Sequence, residues 1–311
     1  MATGTRATSR VPASGVTPVG AVSTGIGVAL GSRRAPRGDV WRRFRRNKLA
    51  MAGLAVVTVL VLAALLAPVL SPFDPNAIDT NASRQPPGAE HWFGTDLLGR
   101  DLFTRVLYGA QTSLQVGVFA VVIATSIGLV AGAVAGYYGG KADTLIMRVT
   151  DVFLAFPYLL LAIAVIVAIG RSKGTVIVVI GFLGWMAVAR LFRSRVLSVK
   201  EVEYVEAARA AGCSDLRIIT RHILPNAIQP VIVYATVLVG TAVLAEAALS
   251  FLGAGIVEPT AAWGLMVADG RRFLFTSPHM LFFPGAAIFV TVMAFVFVGD
   301  GLRDALDPKL R

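Results

Sequence analysis

Six stretches of nearly uncharged residues, 49–70, 113–136, 152–170, 174–192, 226–250 and 280–299, recur along the chain between polar segments. A helix needs about 20 residues to cross the hydrocarbon core of a bilayer, and each stretch comes close to that length. The pattern predicts an all-α, multi-pass membrane protein with six transmembrane helices and both termini on one side. The polar segments differ in kind. Residues 203–225 predict a helical hairpin between the fourth and fifth spans. Tyr204, Val205, Ala208 and Ala211 fall at helical spacing, Gly212 suits a left-handed turn, and Ser214 with Asp215 can cap a second helix whose Leu216, Ile219 and Ile223 share a face. Pro225 disfavours helix directly behind it. Residues 71–112 open with turn-forming prolines and close with Leu102, Val106 and Leu107 at helical spacing, which predicts a separate interfacial helix before the second span. Residues 1–40 lack apolar periodicity and predict a disordered tail. Residues 41–70 then form a basic juxtamembrane segment and the first span, and residues 113–311 a bundle of the other five helices, with no soluble domain able to bury its own core.

Composition agrees with this and charge adds a direction. The chain has 311 residues, of which 56% are hydrophobic and 15% charged, with a mean hydropathy of +0.72. Of its 29 lysines and arginines, 22 fall before the first span, after the last one, and in the loops that six crossings would place on the same side. The positive-inside rule makes that side, including the hairpin, cytoplasmic. The net charge of +11 therefore reflects topology and not affinity for nucleic acid. The run Trp41-Arg-Arg-Phe-Arg-Arg-Asn-Lys48 sits directly before a span, where basic residues meet anionic lipid headgroups. The first apolar stretch is longer than the core of a secretory signal, and five more follow it, so a retained anchor is expected. A lone cysteine, Cys213, excludes an intrachain disulfide and a cysteine-rich metal site.

Little in the sequence points to catalysis. No phosphate-binding glycine loop ending in Lys and Ser or Thr occurs, so ATP binding by that route is excluded. His91, His222 and His279 stand on three different loops without metal-ligand spacing, and Ser250 lacks the flanking glycines of a nucleophile elbow. No metal, cofactor or catalytic residue is expected. Glu246 lies inside the fifth apolar stretch, where a carboxyl is costly. It is a candidate for lining a pathway, or else for satisfying free backbone donors where Gly253, Gly255 and Pro259 end the helix. Gly94, Thr95, Asp96, Gly99, Arg100 and Asp101 read either as capped turns, with Asp101 opening the next helix, or as a surface for a partner or substrate outside the membrane. Arg190, Arg193 and Arg195 are expected to snorkel to lipid. A stand-alone secondary transporter or channel, the rival class, would need several ionisable groups within its spans, and Glu246 alone qualifies clearly.

The hairpin carries a resemblance. Glu206-Ala207-Ala208, three residues, Gly212, nine residues, then His222-Ile223-Leu224-Pro225 is similar to the EAA loop of ABC importer permeases, with His222 standing where that pattern has isoleucine. A small rotation would let Ile223 take its place. Phe93-Gly-Thr-Asp-Leu-Leu-Gly-Arg-Asp101, Ala135-Gly-Tyr-Tyr-Gly-Gly140 ahead of Asp143 and Arg148, and Leu249-Ser-Phe-Leu-Gly-Ala-Gly255 with Pro259 and Trp263-Gly264 extend the likeness over about residues 41–311. The chain resembles the second, C-type permease of the dipeptide, oligopeptide and nickel branch of these importers. That resemblance implies a type I importer bundle in the cell membrane, paired with a homologous permease, two cytoplasmic ATPase subunits and an extracytoplasmic binding protein. It implies import of short peptides, with glutathione-like peptides and nickel chelates also carried by relatives of this type. Glu206, Ala207, Ala208, Gly212, Asp215, Leu216, Ile223, Leu224 and Pro225 would form the loop that couples the bundle to its ATPases.

Overall fold

A computed structural model describes residues 37–306. The tail expected over residues 1–40 lies outside the described residues as far as residue 36, and its last four residues belong to a helix. That helix, α1 (Arg37–Arg46), is followed by α2 (Lys48–Leu65), which Asn47 caps by accepting from the Ala50 amide. A short α3 (Ala67–Leu70) leads into the polar segment, and then come α4 (Leu102–Tyr138), α5 (Gly140–Leu154), α6 (Tyr158–Ile169) and α7 (Lys173–Lys200). The hairpin contributes α8 (Glu203–Ala210), α9 (Asp215–Arg217) and a π-helical turn (Ile218–Ile223), continued by α10 (Leu224–Ala227). The chain closes with α11 (Gln229–Phe251), α12 (Trp263–Gly270) and α13 (His279–Leu306).

Two expected spans are built differently. The second does not begin after a separate interfacial helix: α4 runs unbroken for 37 residues, about 55 Å at 1.5 Å per residue, well beyond a hydrocarbon core of about 30 Å. Asp101 starts it early, its side chain accepting from the Thr104 amide. The third span is broken. α5 and α6 together have the length and hydropathy of a span but are bent by 88° at the residues between them, where Pro157 holds an extended ψ of 122° and has no amide proton to continue the helix. Beyond α6, Arg171 donates to the Gly253 carbonyl and Lys173 to Gln115, both on the face opposite the hairpin. The broken pair thus passes from one face of the bundle to the other, as a single span would.

The centre of the bundle is a seam between α4 and α7, which run parallel. A Cβ at Gly128 would stand 2.5 Å from Val188, at Gly132 2.7 Å from the Ala189 carbonyl, and at Gly136 2.8 Å from Val196, while Gly181 of α7 abuts Ala120. Small residues at every fourth position let two backbones approach where lipid offers no hydrophobic drive for association. The antiparallel α11 and α13 flank this pair. Gly240 touches Val292 and Phe295, Gly299 touches Val237, and α2 packs on α13 through Gly53 and Gly301.

Candidate functional site

The hairpin closes on a turn that only glycine makes without strain. Gly212 has φ +77°, the Cys213 amide donates to the Ala208 carbonyl, and the Gly212 amide donates to Arg209. Together these satisfy the last carbonyls of α8. The second arm departs from the expected face. Leu216 is 71% exposed, whereas Ile218 and Ile223 are fully buried. They are five residues apart, the hydrogen-bond span of the π turn that contains them. The wider turn also rotates Ile223 inward in place of His222 and carries the helix through Pro225 into α10, where Pro225 falls in the first turn and no amide is required. Ser214 occupies the cap position of α9 without a side-chain cap bond.

Val205, Ile218 and Ile223 anchor the hairpin on Phe192 and Val196 of α7 and Ala133 of α4. Glu206, Ala207, Gly212, Asp215 and Leu216 are left exposed at the end of the bundle. Polar contacts reinforce the anchor. The Tyr137 hydroxyl, at the end of α4, donates to Asp215 at 2.7 Å, and the Arg209 guanidinium lies 5.9 Å from the Tyr137 ring centroid. Arg193 forks onto Asp143 of α5, and Arg190 reaches Asp151. Both arginines therefore pair with carboxylates and do not point freely into lipid as expected. α4, α5, α7 and the hairpin are cross-tied at this end.

At the opposite face, Gly94 to Asp101 form a tight folded turn. Gly94 and Gly99 have φ of +77° and +75°, and Asp96 accepts from the Leu98 and Arg100 amides. Thr95 donates to the Ala82 carbonyl and accepts from the Gln85 amide, and His91 meets Asp101 at 2.9 Å. Arg100 is 6% exposed. It bonds Asp96 at 2.6 Å and forks onto Glu258 at 2.6 and 3.1 Å, and Arg105 reaches the same Glu258 at 3.3 Å. Burial raises the Glu258 carboxyl, but the Arg100 hydrogen bonds and the two guanidinium charges outweigh it and hold it below the ordinary range. The turn is thereby latched to the loop that follows α11.

Glu246, the pathway candidate, is fully buried. It accepts from Ser113 of α4 at 3.0 Å and from Ser250 at 2.7 Å, and Ser250 in turn accepts from the Ile256 amide at 3.2 Å. This arrangement fits a tie between α4, α11 and the loop behind α11. Glu246→Ala strands two buried hydroxyls at about 1–3 kcal/mol. The purified protein should melt lower, by about 2–4 °C for each kcal/mol, while transport per folded molecule persists. Lost transport at an unchanged melting temperature would restore the pathway role.

Neither Glu258, which lies 158 residues from Arg100, nor the serines around Glu246 carried a local signal. The seam glycines did, in their four-residue repeat.

Comparisons with known proteins agree with this architecture. The family described as binding-protein-dependent transport system inner membrane component matches residues 128–311, and the N-terminal TM domain of oligopeptide transport permease C matches residues 36–87. The chain is 46% identical over 279 residues to the dipeptide transport system permease protein DppC of Alkalihalophilus pseudofirmus, covering 89% of this chain and 91% of that protein. It is 46% identical to the glutathione transport system permease protein GsiD of Escherichia coli O6:K15:H31, covering 89% and 92%. With the dipeptide transport system permease protein DppC of Bacillus subtilis it shares 47% over 274 residues, covering 88% and 86%. A crystal structure of an amino acid ABC transporter with histidines superposes with a TM-score of 0.50 at 15% identity, over 64% of this chain and 92% of that one, a likeness of fold.

Proposed function

Since the chain belongs to the family of inner membrane components of binding-protein-dependent transport systems and is a permease subunit of such an importer, we propose that it carries short peptides and is driven through its hairpin by ATPase subunits. The observation that carries this reading is the exposed hairpin itself. Its buried face is fixed to the ends of α4 and α7, so force applied to Glu206, Ala207 or Leu216 reaches the centre of the bundle as a rigid-body movement. The full assembly would add a homologous permease, two ATPase subunits and a binding protein on the opposite face. Within it this subunit forms half of the pathway and performs no chemistry. The dipeptide and glutathione permeases it matches both act on short peptides by name, which favours that cargo over metal chelates.

Co-expression with a neighbouring permease and ATPase genes tests the reading. The chain should copurify with both, and peptide-loaded binding protein should stimulate hydrolysis. A chain that purifies alone and transports without ATP would overturn it.

The tie from Tyr137 to Asp215 belongs to the same reading. Tyr137→Phe removes one hydroxyl and keeps the ring under Arg209. ATPase subunits should still bind, while ATP consumed per peptide imported rises about twofold to tenfold, the range expected when a hydrogen bond worth about 0.5–1.5 kcal/mol is lost. An unchanged ratio would show that the tie plays no part in transmission.

A further inference from the structure

A cavity of about 230 Å³ opens among α4, the end of α5, α6, α7 and α11. Ala120, Ala124, Leu183 and Gly184 contribute to its apolar wall, and Tyr158 and Tyr234 to its sides. Gly184 is 11 residues from the start of α7 and 16 from its end, about 16 and 24 Å at 1.5 Å per residue, so the cavity lies near mid-membrane. Tyr158 is the first residue of α6, at the break in the third span.

Both tyrosines present a chemical asymmetry. Among the described residues neither hydroxyl has a hydrogen-bond partner, whereas the Thr241 hydroxyl, also at the cavity, is satisfied by the Val237 carbonyl. A phenol at mid-membrane gains from any acceptor or donor that arrives. An acyl chain supplies neither. A peptide supplies both along its main chain, together with a side chain for the apolar wall. The volume suits one such group, since a cavity of about 150 Å³ already holds benzene.

We propose that this cavity is a side-chain subsite for the transported peptide, holding one branched or aromatic side chain against α4 and α7 while Tyr158 and Tyr234 bond its main chain. The proposal rests on the peptide reading above and adds a specificity determinant within the permease, distinct from selection by the binding protein. It makes side-chain volume, not charge, the property that this subunit discriminates.

The test is uptake by the complete complex in proteoliposomes, comparing dialanine with a leucine- or phenylalanine-containing dipeptide, with the binding protein unchanged. Ala245→Leu narrows the cavity from α11. It should slow the bulky dipeptide about tenfold relative to dialanine, the scale on which an apolar pocket discriminates a side chain. Tyr158→Phe combined with Tyr234→Phe should raise the KM for both peptides about threefold to tenfold, the loss expected for main-chain hydrogen bonds. If Ala245→Leu slows both peptides equally, or if native mass spectrometry finds a phospholipid that Ala245→Leu displaces, the subsite is refuted while peptide import stands. If the unaltered complex imports neither peptide but is stimulated by another cargo, the peptide reading fails and the subsite with it.

Discussion

Gly212→Val is expected to leave the chain inserted in the membrane but to strip the ATPase subunits from the purified complex, or to leave their hydrolysis deaf to loaded binding protein. At φ +77° a β-branched residue is strained by roughly 1–2 kcal/mol. A Cβ there would have nothing within 4 Å, so the penalty is carried by the backbone alone and is relieved only by re-aiming α9 relative to α8. The buried anchor of Val205, Ile218 and Ile223 holds the hairpin to the bundle, and the surface displaced is the exposed one with Glu206 and Leu216. Gly212→Asn should be far milder, because asparagine tolerates the left-handed region. Glu206→Lys probes the same surface by charge reversal without touching the turn. Full ATPase recruitment and stimulated turnover in both Gly212→Val and Glu206→Lys would remove the hairpin from the coupling path.

Arg100→Ala is expected to cause a large loss of stability at the opposite face. Removing one partner of a buried pair costs about 3–5 kcal/mol, and the lower end applies because the Glu258 side chain is 43% exposed. Asp96 keeps two backbone amides, but Glu258 retains only the longer contact with Arg105. Differential scanning fluorimetry and limited proteolysis of the loop behind α11 should both register the loss. Arg100→Lys should recover only part of it, since an ammonium cannot bridge Asp96 and fork onto Glu258 at once. The pH dependence has a definite sign. A carboxyl held below its ordinary value of 4.5 contributes stability that is present above that value and disappears as pH falls through the lowered one. The gap between wild type and Arg100→Ala should close in acid. Equal melting temperatures at neutral pH would show that the latch is ornamental.

The spans were legible because lipid imposes one simple rule on composition, and that rule survives without any knowledge of contacts. Where helices begin and break was less visible. Asp101 caps α4 and no proline interrupts the next 37 residues, a local signal masked by the polar character of residues 102–112. Pro157 sat inside an apolar run whose hydropathy, taken alone, suggests one straight helix. The hairpin was legible at Gly212, where one residue decides the backbone, and not at Leu216, because a π turn changes the spacing from which a buried face is inferred. Arg193 and Asp143, or Arg100 and Glu258, meet only once the bundle is assembled, and no spacing within the chain announces such a pair.

The glycine seam divides the subunit mechanically. With contacts at Gly128, Gly132 and Gly136 all closer than ordinary van der Waals separation for an added Cβ, α4 and α7 have no slack along their shared length and behave as one beam. Beside it hangs a strap: α5 and α6, bent by 88°, start at Gly139 and Gly140, whose φ values are +66° and +52° and around which an added Cβ would meet nothing. Beam and strap are pinned together by Arg193 and Asp143 near the hairpin. The beam can move only whole, and the place where the strap has room to turn against it is its glycine start at Gly139 and Gly140.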